Sequence, residues 1–307
     1  MKLIKPYVEL LSQGPGLQGI YNQIESAGRT CYKSEVKGGE SAKTFVNNLI
    51  MNGHTAMLEF GTVYLTFPIT LYDYKSKVVK EYHGALKYKN NPYSKIFIVE
   101  QDNKAYVTTN FRVIAENKWG DDLKYLSYEP TEFHYKRYTA KFVISIGIGR
   151  EFLRHRKMSF ANESTRFVNY SKESKGQEIT FIQPEWLNVR PLDEDVRLKG
   201  GLEAWMNPNY IHVYGKDIKS KFFLRQCLET EAAYMALIVQ EGCTPQQARE
   251  VLPLCTKSEL CMCGFEEDWR HFFDLRMRGT TGKPHPDAQY IATEWWKLLQ
   301  EQLGVEL

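Results

Sequence analysis

The chain has 307 residues, 43% hydrophobic and 25% charged, as in an ordinary globular protein of one large or two small domains. A net charge of +3 argues against wholesale coating of nucleic acid, so recognition of anions has to be local. No apolar run approaches the roughly 20 residues that cross a bilayer, and Met1-Lys2-Leu3-Ile4-Lys5-Pro6 lacks the apolar core of a signal peptide, which points to the cytoplasm.

Residues 41–51 read as a helix. Ser41 is its candidate cap, Phe45, Val46, Leu49 and Ile50 its apolar stripe, and Gly53 its stop. Thr62 to Phe67 reads as a strand. A tyrosine-rich stretch of different character occupies residues 68–136. Within it, Ile96–Val99 and Ala105–Thr108 flank the turn Gln101-Asp102-Asn103-Lys104, a hairpin signal, and a short helix is expected at Phe111–Ala115. Tyr138–Ile148 reads as a buried strand with Tyr138, Ala140, Phe142, Ile144, Ile146 and Ile148 on one face. Gly147 and Gly149 weaken its end, and Arg150–Arg154 can turn helical. Residues 188–218, polar and rich in Gly, Asn and Pro, read as a loop.

The last third is expected to be helical. Phe222–Glu241 stops at Gly242. Thr244-Pro245-Gln246-Gln247 caps a short helix that ends at Pro253. Glu266–Arg278 turns Trp269, Phe272 and Phe273 inward, and Asp287–Leu303 carries Ile291, Trp295 and Leu298. The pattern is α/β of the α+β kind: a central antiparallel or mixed sheet, an inserted hairpin region and a helical C-terminal part. The six cysteines (Cys31, Cys227, Cys243, Cys255, Cys261, Cys263) form no paired CxxC knuckles, so reduced thiols and no metal site are expected.

The densest chemistry lies in residues 154–166, Arg-His-Arg-Lys-Met-Ser-Phe-Ala-Asn-Glu-Ser-Thr-Arg. Cations crowd against a hydrophobic element here, and unpaired buried charge is costly, so an anionic ligand is indicated. Ser159, Asn162 and Ser164 add neutral hydrogen-bonding groups, a mixture that suits a nucleotide. Arg276, seven residues after Trp269, falls on the apolar face of its helix, and Arg249 precedes Leu252 by three. Arginines in such places suit a planar grip on phosphate or on a pyrimidine edge. His54 and Glu59 do not have the spacing of a metal-binding HExxH.

Arg154-His155-Arg156, then seven residues, then Ser164, with Arg166 two further on, resembles the signature of flavin-dependent thymidylate synthases. Other segments resemble that family in the same order along the chain: Gly28-Arg29-Thr30-Cys31-Tyr32, Gly53-His54 with Glu59, Ala248-Arg249 with Leu252-Pro253, Phe272–Arg276, and Ala288-Gln289. The resemblance covers nearly all of residues 1–307 as a single domain, with 68–136 and 188–218 as insertions. It implies reductive methylation of dUMP to dTMP, with methylenetetrahydrofolate as carbon donor, NADPH as reductant and FAD as cofactor, in a homotetramer whose sites lie where subunits meet. Neither nucleic acid nor membrane is an expected partner.

By matched position, the resemblance implies that FAD is held by Cys31, Ala56, Glu59, Arg154, His155, Arg156, Asn162 and His271. It implies that dUMP is held by Glu151, Arg154, Asn162, Glu163, Ser164, Thr165, Arg166, Arg249 and Arg276. The resemblance makes Arg276 the catalytic member, expected against the uracil edge. The chain departs from the family at Ala56, Phe60, Phe265-Glu266-Glu267, and at the usual Asn, which falls on Ala161 or Asn162 according to register. A flavoprotein of the same fold with an altered substrate, or a nucleic-acid-binding module, are the competing readings. No cysteine is placed to attack a pyrimidine, so a thiolate nucleophile is not expected.

Overall fold

The computed structural model describes residues 1–74, 77–172, 175–189 and 215–305. Most of the loop read at 188–218 therefore lies outside the described residues. At the centre is a four-stranded antiparallel sheet in the order β2 (Tyr7–Leu10), β8 (Arg137–Ser145), β11 (Lys257–Phe265), β9 (Ser159–Asn162). A second sheet pairs β3 (Thr62–Pro68), β7 (Lys104–Asn110) and β6 (Lys95–Val99), with β7 in the middle. Short pairs join β1 (Lys2–Ile4) to β10 (Thr180–Ile182) in parallel and β4 (Thr70–Tyr74) to β5 (Lys77–Glu81). The helices are α1 (Gly16–Thr30), α2 (Gly39–Met51), α3 (Phe111–Glu116), α4 (Ile146–Phe152), α5 (Ile218–Val239), α6 (Pro245–Ala248), α7 (Glu266–Phe273) and α8 (Pro286–Leu303).

The central sheet has a different cover on each face. Phe142 and Ile144 of β8 and Leu260 and Met262 of β11 meet Phe152, Trp269, Phe272, Phe273, Ile291 and Trp295. Cys261, Cys263 and Ala161 face the other way, against Ala27 of α1 and Phe60. This follows from the period of two along a strand. The hairpin β6–β7 and α3 pack with Ile20, Ile24, Val46 and Leu58 in a separate core, so the tyrosine-rich stretch builds interior as well as surface.

The strand expected at 138–148 stops at Ser145. Its hydroxyl accepts the Ile148 N–H at 3.2 Å and caps α4, which begins four residues before Arg150, where the helix was expected. Ser41 does not cap α2. Gly38, at φ 69°, precedes the first turn, and the Ser41 hydroxyl donates to buried Glu25 at 3.0 Å. The last third is not wholly helical, because β11 is one of the two inner strands of the main sheet. Its sequence hides it: both faces are buried, so polarity does not alternate, and Cys and Met are weak strand signals. The long helix starts at Ile218, four residues early, where the Asp217 carboxylate accepts the Ser220 N–H. The capping pair at Thr244–Gln247 forms through Gln247, whose Oε1 accepts the Thr244 N–H and hydroxyl, both at 2.9 Å.

Candidate active site

α4 runs off the end of β8 and delivers Glu151, Arg154, His155 and Arg156 to the rim of a cavity of about 1410 Å³. α7 supplies His271 from the facing side. After Phe273 the helix widens into a single π-type turn, Asp274–Arg278, closed by Gly279 at φ 70°. A π turn carries an extra residue, so the simple helical period fails there. Arg276 consequently leaves the apolar face of Trp269, Phe272 and Phe273 and enters the cavity wall.

Arg276 is fixed on three sides. Its Nε donates to His155 Nε2 at 3.1 Å, Nη1 to Glu151 Oε2 at 2.8 Å and Nη2 to the Glu151 carbonyl at 2.7 Å. Three of its five N–H groups are thus engaged, which leaves two for a ligand. Burial, reinforced by Arg154, pushes the Arg276 pKa below its usual value against the opposing pull of Glu151. His155 is buried, and desolvation, with Arg276 and His271 adding to it, pushes its pKa down to about 4. The ring is neutral near pH 7. Because Nε2 accepts from Arg276, the ring proton sits on Nδ1.

Arg154 and Arg156 are exposed, and their guanidinium groups have no hydrogen-bond or ion-pair partner among the described residues. Lys157 and Lys283 line the same cavity. Two free guanidinium groups and two ammonium groups around a cavity larger than a single small ligand needs fit a phosphate-rich ligand such as a dinucleotide. The loop Thr281–Pro286, with Lys283 and His285, forms one wall and was not among the sequence-derived candidates. A Gly-Thr-Thr-Gly-Lys-Pro-His-Pro run between two helices was the available signal.

The remaining candidates do not line this cavity. Ser164 donates its N–H to the Cys31 carbonyl at 2.9 Å, and Arg166 Nε reaches Gln246 of α6 at 3.0 Å, three residues before Arg249. Arg249 itself is partly exposed beside Glu250. Ser164, Thr165, Arg166, Cys31 and Arg249 thus form a second cluster, at the α1 and α6 side. Ala56 and Glu59 lie on the short helix Thr55–Phe60, where Arg112 of α3 grips Glu59 at 2.6 Å.

Asn162 and Glu163 separate by strand alternation. Asn162 pairs with Leu260 in the ladder, and its Oδ1 accepts from Ser258 at 2.8 Å, whereas Ala161 packs against Cys261 on the opposite face. Glu163, expected at the substrate, is turned into the protein instead. Its side chain is 1% exposed and its oxygens take Lys257 at 2.8 Å, the Glu259 N–H at 3.1 Å and the Tyr170 hydroxyl at 3.1 Å. A carboxylate enclosed this far, with three donors already on it, is not presented to a ligand.

All six cysteines are unbonded thiols. Among the described residues, no group of three or more His, Cys, Asp or Glu is placed to hold a metal ion, and no helix is long and apolar enough to cross a membrane.

The family model described as thymidylate synthase complementing protein matches residues 96–303. A flavin-dependent thymidylate synthase of Corynebacterium efficiens is 32% identical over 133 residues, which is 43% of this chain. That match spans 46% of the curated relative, less than half its length. Among solved structures, the UMP/dUMP methylase PolB of Streptomyces cacaoi bound with 5-Br dUMP aligns at 15% identity with a TM-score of 0.42, covering 98% of this chain and 93% of that one. Thymidylate synthase X of Helicobacter pylori with FAD and dUMP aligns at 13% identity with a TM-score of 0.37, covering 95% and 92%.

Proposed function

This chain belongs to the thymidylate synthase complementing protein family, and from that membership we propose that it reductively methylates dUMP to dTMP, with methylenetetrahydrofolate as carbon donor and NADPH as reductant. The observation that carries the reading is the cavity of about 1410 Å³ in which unpartnered Arg154 and Arg156 flank a neutral, buried His155 bonded to Arg276. That donor set fits FAD. Free guanidinium groups suit its diphosphate, and the neutral imidazole of His155 suits its uncharged ring systems. Bound there, FAD would supply the hydride route between NADPH and the pyrimidine.

Arg276 is assigned to the uracil edge. Its two spare N–H groups are held in place by Glu151 and His155, and a fixed cation within about 4 Å of a developing ring anion stabilises that anion. The planar fork is needed for this, because all three anchoring bonds and the two free donors lie in one plane. Ser164, Thr165, Arg166 and Arg249 are assigned to dUMP, with Arg166 nearest its phosphate. Cys31, Ala56, Glu59 and Asn162 are assigned to the flavin.

These assignments require a site shared between copies. Within one chain the Arg154–Arg276 cavity and the Ser164–Arg249 cluster lie apart, so a homotetramer that brings one subunit's cluster to its neighbour's cavity accounts for both. We read the chain as one domain, since α1 packs directly on the main sheet. Within that domain we keep residues 68–136 and 188–218 as the inserted segments. A cytoplasmic location belongs to the same proposal.

Purified protein should carry flavin visible in its absorbance spectrum. It should oxidise NADPH only when dUMP is present, and form dTMP when methylenetetrahydrofolate is added. Protein without flavin and without dUMP-dependent NADPH oxidation overturns the reading.

A further inference from the structure

We propose that Glu163, Tyr170 and Lys257 form a buried staple that positions the Ser164–Arg166 turn for substrate, so that Glu163 acts through its neighbours and does not touch the ligand. The inference rests on the reading of that turn as the dUMP-binding segment. Glu163 makes the last rung of the β9–β11 ladder, its N–H donating to the Glu259 carbonyl at 2.7 Å. The chain then leaves the sheet. Ser164 donates to the Cys31 carbonyl at 2.9 Å, and the Ser164 carbonyl accepts from Phe167 and Val168 at 3.1 and 3.0 Å, which puts Thr165 and Arg166 at the apex of a tight turn.

The base of this turn is closed by side chains. Tyr170, seven residues on, donates its hydroxyl to Glu163 Oε1 at 3.1 Å. Lys257 Nζ binds Glu163 Oε2 at 2.8 Å and also meets Glu259, which takes Lys141 at 2.8 Å. Tyr170 is itself held, its ring edge-on to Tyr234 at 5.7 Å and its N–H donating to the Tyr234 hydroxyl. One carboxylate therefore joins entry strand, exit residue and inner strand. A buried ion pair adds little net stability compared with apolar packing, because desolvation offsets attraction. What directional bonds at this position supply is a fixed aim for Arg166, which lowers the ordering cost of binding.

The test is Tyr170→Phe, which keeps the edge-on ring contact and removes only the hydroxyl, followed by Glu163→Gln. Flavin content, kcat and KM for dUMP, dUMP affinity by calorimetry, and amide exchange of residues 164–168 are measured on the intact enzyme. Tyr170→Phe is expected to raise KM and the dissociation constant for dUMP about tenfold, the scale of one hydrogen bond to a charged group, with kcat and flavin content held and exchange at 164–168 faster. Glu163→Gln should do more in the same direction. Unchanged dUMP affinity in both variants overturns the staple, as does a fall in flavin and dUMP binding together in step with Tm. Absence of dUMP binding by the unmodified enzyme instead rejects the proposed function, and the two failures are thereby told apart.

Discussion

The two ends of the segment 154–166 are held in opposite ways. At the first end, Arg154 and Arg156 stand free at a cavity rim while the neighbouring imidazole is buried and neutral. At the second end, the one carboxylate, Glu163, is enclosed and held by three donors, and the adjoining Ser164 and Arg166 are carried on a braced turn. Cations meant for a ligand gain from having no protein partner, since any such pair has to be broken before binding. A carboxylate near a site for anions has to be neutralised within the protein, or it would repel what the arginines attract.

The contrast can be broken at either end. The largest effect is expected for Arg276→Lys. An ammonium cannot hold His155, Glu151 and a ligand in one plane, so turnover should fall roughly 100-fold or more, as for loss of a fixed donor at a developing anion. Tm should move little, and turnover equal to that of the unmodified enzyme would remove Arg276 from the chemistry.

Acid should act next, through the buried rings. His155 and His134 are both pushed from an ordinary 6.5 down to about 4, chiefly by burial. Above pH 6.5 neither state of the chain holds these protons, so there is no effect. Between pH 6.5 and about 4 the unfolded chain takes up protons that the folded chain refuses, and stability falls by about 1.4 kcal/mol per pH unit for each ring. Each ring thus accounts for about 3 kcal/mol by pH 4. Denaturant melts across that range should show the slope, and His155→Asn should remove one ring's share. An unaltered slope would mean that the His155 imidazole is not held neutral.

A smaller effect is expected at the second end. Arg166→Ala should weaken dUMP binding by about tenfold while flavin stays bound, and loss of flavin instead would place Arg166 on the wrong side of the division. Smallest is Arg112→Ala. Its pair with Glu59 is partly exposed, so stability should change by only about 0.2–1 kcal/mol, measured as a Tm shift. A retained flavin content would show that Glu59 does not need this arginine to serve the cofactor.

Much of the frame was legible from local signals. The hairpin at 95–110, the capping box at Thr244 and the final helix all carry short-range chemistry that fixes them wherever the rest of the chain goes. What escaped were elements defined by their surroundings. β11 shows no alternation because both of its faces are covered, and Ser145 becomes a cap only because the strand it ends is docked against β11. The π turn at Asp274–Arg278 left no mark in the hydrophobic pattern, although it decides where Arg276 points.

The sequence by itself determined which residue types are available for anion recognition, their order along the chain and the family they resemble. Motifs of that kind are local and survive without coordinates. Only the tertiary structure decided which of these residues share a cavity. It turned Asn162, the last residue of β9, and Glu163, which follows it, to opposite sides, locked Glu163 to Lys257, and set Arg166 apart from Arg276. Register and sheet order join residues that are far apart in sequence, and one step along a strand reverses the side a residue serves.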